Sequence, residues 1–321
     1  MDTTQFDIIS DRVRHVLTRE FLFISGAPKS GTTWLQKALD AHPNIVCSGE
    51  GHFYNVLVSA LGQIMDYYYK QLEKVDAQVY QGKPYYAPLA EEQHQFIAQS
   101  MVALMMGQRP IADGVRYVGD KTPANALCMN ELSRFFPGAC FIHIVRDPRD
   151  VVVSTLKHGE RVAIEIKDRN QHIQTISERW VEYNQKAFLF SEKSAGQFHW
   201  LRYRDLLHDF EKTFAALLQF LGLERSTDIL KTCKEASDFK ALSGGREPGR
   251  EDNSSFYRKG VWGDWKNTLT SEEVQIIYAS CGPLLEKLGF MDEPCNENDS
   301  SIKPGNSSKG SEPVQLQYTA K

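Results

Sequence analysis

A short glycine-containing loop follows the first apolar run of the chain and has the residue types of a phosphate-binding turn. Residues 21–25 (FLFIS) suit a buried parallel strand, and residues 26–33 (GAPKSGTT) follow directly. Residues 32–41 then place apolar side chains at helical spacing. Because glycines permit a tight turn and the N–H groups at a helix N-terminus face anions, this segment predicts a phosphate cradle.

The loop departs from the nucleoside-triphosphatase pattern G-x-x-x-x-G-K-[ST] at one position. Gly26, Gly31 and Thr33 fit the spacing, but Thr32 stands where the lysine belongs, and the lysine is Lys29, inside the loop. A lysine on the loop crest would lie over a group attached directly to a 5′-phosphate, whereas the triphosphatase lysine reaches the β- and γ-phosphates. The alternative interpretation is a loop that only turns a strand into a helix.

An arginine follows another apolar run, at residues 139–145 (ACFIHIV). Arg146 should lie at the carboxyl end of that strand, and Ser154 on the helix that follows. An arginine and a serine so placed can share one phosphate, the arginine through a bidentate contact. A surface ion pair of Arg146 with Asp147 or Asp150 is the alternative.

A second cationic group occurs in the glycine-rich, charged stretch near the end of the chain. Arg258, Lys259 and Gly260 offer two cations and a backbone N–H to an anion. The alternative is a solvated loop with no ligand.

Three segments together resemble the PAPS-dependent sulfotransferases. Residues 28–34 (PKSGTTW) resemble that family's 5′-phosphosulfate loop, residues 144–154 (IVRDPRDVVVS) its 3′-phosphate motif, and residues 258–267 (RKGVWGDWKN) a motif of its cytosolic branch. The segments occur in the family's order. The resemblance implies transfer of a sulfuryl group from 3′-phosphoadenylyl sulfate (PAPS) to a hydroxyl or an amine. The product adenosine 3′,5′-bisphosphate (PAP) is released, and a general base but no metal takes part.

The resemblance also implies the residues that contact PAPS. Trp34 and Tyr203 match the positions that stack on the adenine, although either can instead be a core residue. The expected PAPS-binding residues are Lys29, Ser30, Gly31, Thr32, Thr33, Trp34, Arg146, Ser154, Tyr203, Arg258, Lys259 and Gly260.

Sulfuryl transfer needs a cation at the bridging oxygen and a base for the acceptor hydroxyl. By resemblance, Lys29 serves the leaving oxygen, and Lys121 in residues 119–123 (GDKTP) contacts the sulfuryl group. The alternative for Lys121 is a surface lysine paired with Asp120.

The base region departs from the cytosolic branch, whose histidine in KTHLP or KSHLP is replaced here by Pro123. Residues 39–50 (LDAHPNIVCSGE) resemble the tyrosylprotein sulfotransferases, in which a glutamate is the base, and residues 50–53 (EGHF) resemble the heparan-type enzymes. We therefore predict Glu50 as the catalytic base, beside the cradle at the end of the second strand. His52 is the alternative base, and a loop or capping carboxylate is the alternative for Glu50.

Two other functions would also use a phosphate-binding loop. A P-loop nucleotide kinase would need a lysine at position 32 and a Mg²⁺-binding carboxylate, and neither is evident. A non-catalytic nucleotide-binding protein would keep the fold without the chemistry, and the presence of Lys29 and Lys121 argues against it.

These residues need a scaffold in which strands alternate with helices. Strands are predicted at residues 21–25, 45–47, 139–145 and 198–203, with a helix at 206–221. This order predicts an α/β protein with a P-loop-like three-layer fold, in which a mostly parallel central sheet is flanked by helices. We expect one domain over residues 1–292 and a disordered tail over 293–321, which has few apolar residues.

Composition limits the class of protein. The chain has 321 residues, 24% of them charged, and a net charge of −4, so no basic excess points to nucleic acid. Its six cysteines form no CxxC pair or Cys/His cluster, so no metal site is expected. No run reaches the ~18 apolar residues of a membrane helix, and no signal peptide is evident. The expected location is therefore the cytoplasm.

The sequence does not identify the acceptor. The Tyr- and Met-rich residues 67–106 are predicted to build part of its pocket, which suits a small-molecule, carbohydrate or lipid acceptor. Oligomeric state is open, because Ser271 and Gln275 break the cytosolic family's dimer motif.

Overall fold

The computed structural model describes residues 3–82 and 86–288, so the predicted tail at 293–321 lies outside the described residues. Its centre is a five-stranded sheet formed by β1 (Glu20–Ser25), β2 (Ile45–Ser48), β3 (Tyr117–Lys121), β4 (Cys140–Val145) and β5 (Phe198–Arg202). The strand order is β2-β3-β1-β4-β5, and every neighbouring pair is parallel. The predicted α/β fold with a parallel central sheet is confirmed.

Helices cover both faces of the sheet. Alternate residues of β1 point to opposite faces: Phe21 and Phe23 pack in one apolar core, and Leu22 and Ile24 in the other. This double burial explains why the strand is a continuous apolar run. In the described part of the chain the α-helices are α1 (Thr3–Leu17), α2 (Thr32–Asp40), α3 (Ser59–Val79), α4 (Glu91–Met106), α5 (Met129–Phe135), α6 (Pro148–Arg161), α7 (Arg169–Ser191), α8 (Tyr203–His208), α9 (Phe210–Phe220), α10 (Thr227–Ser237), α11 (Phe239–Leu242) and α12 (Ser271–Lys287).

Side-chain caps begin two of the helices that hold the site. Asp147 precedes α6 and accepts the N–H of Arg149 at 2.8 Å. Thr270 and Glu273 form a reciprocal capping box at the start of α12, as their spacing predicts.

Two elements differ from the sequence prediction. The helix predicted over 206–221 is divided into α8 and α9, because the Asp209 carboxylate accepts the N–H of Lys212 at 3.1 Å and begins a new helix. Strand β3 was not predicted. Its residues YVGDK lack an apolar run, yet all five are buried between β2 and β1.

None of the described helices combines the length and the apolar character needed to cross a membrane.

Candidate active site

One edge of the sheet collects a site residue from each strand. Lys29 follows β1, Glu50 follows β2, Lys121 ends β3, Arg146 follows β4 and Tyr203 follows β5. Carboxyl ends of parallel strands are the usual position of a ligand site in open α/β sheets. Here they border a cavity of about 1010 Å³.

The cavity brings together nearly all of the predicted site residues. Ser30 and Lys121 are buried behind its surface. The predicted residues that line it are Lys29, Gly31, Thr32, Thr33, Trp34, Glu50, His52, Arg146, Ser154, Tyr203, Arg258, Lys259 and Gly260.

The loop between β1 and α2 has the backbone of an anion cradle. Lys29 and Gly31 both have positive φ, at 71° and 97°. Any side chain at Gly31 would come within 2.6 Å of the Tyr203 ring, so glycine is required there for space as well as conformation. The Ser30 hydroxyl is buried with no hydrogen-bond partner in the described part of the chain. An anion in the cradle would supply that partner.

The surroundings of Lys29 make its positive charge less favourable than it would be in water. Burial lowers the pKa of Lys29, and the Arg161 guanidinium lowers it further. The Lys29 ammonium also lies 5.4 Å from the centre of the Phe256 ring, which belongs to the loop preceding the RKG segment. Lys29 is therefore a cation in a site that would gain from a bound negative charge.

Arg146 joins the phosphate loop to the segment around residue 260. Its guanidinium donates to the carbonyl of Lys29 at 3.2 Å and to that of Val261 at 3.0 Å, and lies 4.4 Å from the Tyr203 ring centre. Its Nε is buried and has no partner among the described residues. The arginine is thus held in place at the cavity wall.

Asp150 fixes the same segment from α6. Its carboxylate accepts the N–H groups of Gly263 at 2.8 Å and Trp265 at 3.2 Å. Burial raises the pKa of Asp150, and nearby Arg146 opposes that rise. The closest approach of Arg146 to Asp150 is 4.0 Å, so this ion pair is longer than the hydrogen bonds of the guanidinium to the Lys29 and Val261 carbonyls.

Arg258 and Lys259 line the cavity and are hydrogen-bonded to carboxylates. Asp264 accepts from Arg258 at 2.6 Å and from Lys259 at 2.5 Å, and Glu251 accepts from Arg258 at 2.7 Å. Burial would raise the pKa of Asp264, but the hydrogen bonds from Lys259 and Arg258 outweigh it and hold this pKa below its usual value. A phosphate at this place would share or replace the Asp264 contacts.

The predicted base lies in a hydrogen-bonded group at the opposite wall. Glu50 Oε1 accepts from Lys121 Nζ at 2.6 Å, and Glu50 Oε2 lies 3.4 Å from His52 Nε2. Asn55 Nδ2 donates to His52 Nδ1 at 3.2 Å, which leaves the ring proton on Nε2, facing Glu50. In this arrangement the glutamate has acceptor oxygens available, and the histidine acts as a donor.

Asp120 positions this group and does not neutralise Lys121. It accepts the N–H of Gly51 at 2.8 Å and the amide of Asn125 at 3.1 Å. Burial raises the pKa of Asp120, and the hydrogen bond from Asn125 and the N–H of Gly51 counter the rise. The alternative pairing of Lys121 with Asp120 is replaced by the contact with Glu50.

The two predicted adenine-stacking rings lie against each other. Trp34 and Tyr203 meet edge to face with ring centres 5.3 Å apart. Tyr203 is buried between Gly31 and the Arg146 guanidinium, so here it supports the arginine. Its contact with an adenine stays a prediction.

Several lining residues had no clear signal in the sequence. Phe239 packs so closely on Gly260 that a Cβ there would lie 2.3 Å from its ring, but a lone phenylalanine in a four-residue helix resembles any core residue. Arg161 follows Ser154 by seven residues on α6, and this helical spacing could have indicated a shared face.

The prediction for residues 67–106 is wrong in its placement. None of the described residues in this stretch lines the cavity. They form α3 and α4 at the side of the fold, where the hydroxyl of Tyr69 contacts His94 at 3.1 Å. The wall near Glu50 is instead formed by Pro123, Ala124 and Leu127.

A series of hydrogen bonds between buried side chains holds residues that border the cavity. Asn184 presents its carbonyl oxygen to His143 Nε2 at 3.0 Å, so His143 Nδ1 accepts from Ser25 at 2.9 Å. Asn184 donates to the carbonyl of Trp180 at 2.7 Å, and the Trp180 indole donates to the carbonyl of Arg146 at 2.9 Å. These hydrogen bonds therefore connect α7 to Ser25, which directly precedes the phosphate loop, and to the backbone of Arg146.

We expect the fold to lose stability in mild acid because of two buried histidines. Burial lowers the pKa of His143 and of His199 from 6.5 to about 4. Between these values the unfolded chain binds more protons, so stability falls as pH decreases through that window, by up to about 3 kcal/mol for each group. Urea unfolding from about pH 7 to about pH 4.5 should show this slope. His143→Gln and His199→Gln should each reduce it, and an unchanged slope in both variants would contradict the assignment.

Within residues 3–82 and 86–288, no three His, Cys, Asp or Glu side chains come together in a way that could hold a metal ion.

Comparison with known proteins gives a consistent family. The model of the sulfotransferase family matches residues 22–228. A putative protein-tyrosine sulfotransferase of Caenorhabditis briggsae is 22% identical over 66% of this chain and 68% of its own length. Protein-tyrosine sulfotransferase 2 of Gallus gallus is 25% identical over 69% of this chain, and the match spans 56% of that enzyme. Human protein-tyrosine sulfotransferase 1 is 29% identical over 44% of this chain and 35% of its own length.

Solved structures share the fold. Mouse sulfotransferase SULT7A1, crystallised with PAP, has a TM-score of 0.51 at 14% identity and covers 86% of this chain and 88% of its own. Sulfotransferase STF9 of Mycobacterium avium has a TM-score of 0.51 at 13% identity and covers 89% of this chain and 81% of its own.

These relatives correct one expectation. The cytoplasmic location expected from the sequence is wrong, because the three curated relatives described above are protein-tyrosine sulfotransferases, which are Golgi-resident proteins.

Proposed function

Because the chain belongs to the sulfotransferase family, we propose that it transfers a sulfuryl group from PAPS to a hydroxyl or an amine of an acceptor and releases PAP. The observation that carries this proposal is the single cavity lined by the Lys29 loop, by Arg146 and Ser154, and by the Arg258–Gly260 segment. Each of these was identified separately in the sequence as an anion-binding group, and one ligand with two phosphate positions would use all of them.

The 3′-phosphate of the nucleotide would bind Arg146 and Ser154 together with Arg258, Lys259 and the N–H of Gly260. Arg146 is held ready by its contacts with backbone carbonyls and Tyr203, so little reorganisation is needed. The buried Arg146 Nε without a partner in the described chain supports an anion at this wall.

The 5′-phosphosulfate would lie in the cradle formed by residues 28–33. Backbone N–H groups at the start of α2 and the Ser30 hydroxyl would bind its oxygens. Lys29 would neutralise the bridging oxygen as its bond to sulfur breaks, and Lys121 would contact the sulfuryl oxygens. Lys121 donates to Glu50 at 2.6 Å, and the charge of Glu50 also acts on Lys29, which supports a transferred group bound beside these three side chains.

Glu50 would take the proton from the acceptor oxygen while that oxygen forms its bond to sulfur. Its Oε2 faces the cavity beside His52, and its Oε1 is fixed by Lys121. His52 would orient the carboxylate through its Nε2–H. This assigns the base to Glu50 and a supporting role to His52.

The acceptor class follows less directly. The three curated relatives described above are named for the sulfation of protein tyrosine, and this chain spans 68% or less of their own lengths. A phenolic hydroxyl is therefore one acceptor among the hydroxyl compounds that the cavity could admit. The alternative of a nucleotide kinase gains no support, since position 32 is a threonine.

The cofactor assignment is tested by binding. We expect PAP and PAPS to bind far more tightly than AMP or ATP, because only they carry a 3′-phosphate for Arg146, Ser154 and Arg258. Titration calorimetry with PAP and AMP is the direct comparison. Equal affinities for the two nucleotides would remove these three residues from a 3′-phosphate site.

A further inference from the structure

The cavity holds more positive charge than the proposed nucleotide contacts use. Among the residues that the structure describes, eight lysine and arginine side chains line it but only two carboxylates, Glu50 and Asp238, while the chain as a whole has a net charge of −4. The cations are therefore concentrated in this cavity. Four of them have a carboxylate oxygen within 3.1 Å: Lys157 with Glu160, Lys234 with Glu211, and both Arg258 and Lys259 with Asp264.

The remaining four cations differ in their surroundings. Arg146 donates to backbone carbonyls, and Lys29 is assigned to the donor. Arg161 and Arg179 have no carboxylate partner in the described part of the chain. Arg161 has the more informative position, since it is partly buried and donates one hydrogen bond, at 3.0 Å, to His158 Nδ1. The other guanidinium N–H groups of Arg161 have no recorded acceptor among the described residues.

Arg161 lies on the side of the cavity that holds Lys29. It follows Ser154 by seven residues on α6, which places it about 10 Å farther along the helix from the proposed 3′-phosphate position. Its charge lowers the pKa of Lys29, and both cations flank the Phe256 ring, with Lys29 Nζ at 5.4 Å and the Arg161 guanidinium at 6.0 Å. Arg161 is thus close to the lysine assigned to sulfuryl transfer, and the acceptor oxygen must approach the same sulfur.

Two neighbouring cations in a partly buried wall repel each other, and a bound anion would reverse that cost. Resting on the function proposed above, we propose that the acceptor is a hydroxyl compound carrying an anionic group, and that Arg161 binds this group. The anion is a carboxylate or a sulfate, which matches the planar donor set of a guanidinium. Arg161 is then a residue that determines acceptor specificity.

The test uses two phenols of the same size as acceptors, 3-(4-hydroxyphenyl)propionate and its neutral amide. With PAPS as donor, we expect the unmodified protein to prefer the carboxylate. Arg161→Gln should lower kcat/KM for the carboxylate by about 10- to 100-fold and leave the amide nearly unchanged. Arg161→Lys should recover part of the loss. Arg225→Gln is the matched control, because Arg225 is exposed, hydrogen-bonds to Gln219 alone within the described residues and does not line the cavity.

The outcomes separate this inference from the function on which it rests. Equal losses for both phenols, with a raised KM for PAPS, would assign Arg161 to the donor and overturn the proposal, as would equal use of both phenols by the unmodified protein. If neither phenol is sulfated, the PAP-bound protein is titrated with each phenol. The inference is supported if the carboxylate binds more tightly than the amide and Arg161→Gln abolishes this difference. It is overturned if the two phenols bind equally or if the difference persists in the variant. Failure to bind PAP at all would contradict the proposed function itself.

Discussion

Replacing Glu50 by glutamine should lower kcat by ~100-fold or more while leaving the affinity for PAP nearly unchanged. Glutamine keeps the size of the side chain and can still contact Lys121 and His52, but it cannot take a proton from the acceptor. Glu50 lines the cavity with an oxygen near His52 Nε2, whereas the proton on that histidine nitrogen makes His52 a donor. His52→Asn should therefore cost less than Glu50→Gln.

A choice of acceptors separates lost basicity from lost structure. A phenol acidic enough to be ionised at the assay pH needs no base, so Glu50→Gln should slow its sulfation far less than that of a weakly acidic phenol. Near-native kcat in Glu50→Gln together with loss of activity in His52→Asn would reverse the assignment. If both variants lose PAP affinity instead of rate, both residues are structural.

Replacing Arg146 by alanine should cost roughly 2–4 kcal/mol of PAP binding, because a buried phosphate charge would lose its bidentate partner. The structure makes Arg146 well placed for this role, since the Lys29 and Val261 carbonyls and the Tyr203 ring hold its guanidinium at the cavity wall. Calorimetry with purified variants measures the loss.

The control for Arg146→Ala is binding of a second nucleotide, AMP. AMP lacks the 3′-phosphate, so its affinity should hardly change, and the variant should no longer distinguish PAP from AMP. Arg146→Lys keeps the charge without the bidentate geometry and should give an intermediate affinity. Equal losses for PAP and AMP would indicate that Arg146 acts by holding the two loops together and not by binding the 3′-phosphate.

The sequence predicted those parts of the fold and the site that are formed by residues close together in the chain. The cradle at residues 26–33 could be predicted because a buried strand, two glycines and a helix start are adjacent in the chain. The capping box of α12 is likewise a local pattern. The α/β fold with a parallel sheet could be predicted because apolar, strand-like segments alternate with segments of helical spacing. Strand β3 was missed, because YVGDK is buried by its neighbours β2 and β1 and not through an apolar run of its own.

Long-range partners could not be predicted. Nothing in the sequence indicates that Asp150 accepts from Gly263 and Trp265, more than a hundred residues away. The pairing of Lys121 with Glu50 in place of Asp120 is of the same kind. Adjacent residues on a strand point to opposite faces, so neighbours in sequence are poor candidates for contact there.

The most direct measurement of the central claim is incubation of the full chain with PAPS labelled on sulfur and a broad extract of hydroxyl compounds. We expect the label to move into at least one acceptor with release of an equal amount of PAP, and to do so in the presence of a chelator, since side-chain cations are assigned the neutralising role. Glu50→Gln should suppress the transfer. Tight binding of PAP with all the label left in PAPS, or released only as inorganic sulfate, would contradict a sulfotransferase and leave a nucleotide-binding protein that kept the fold.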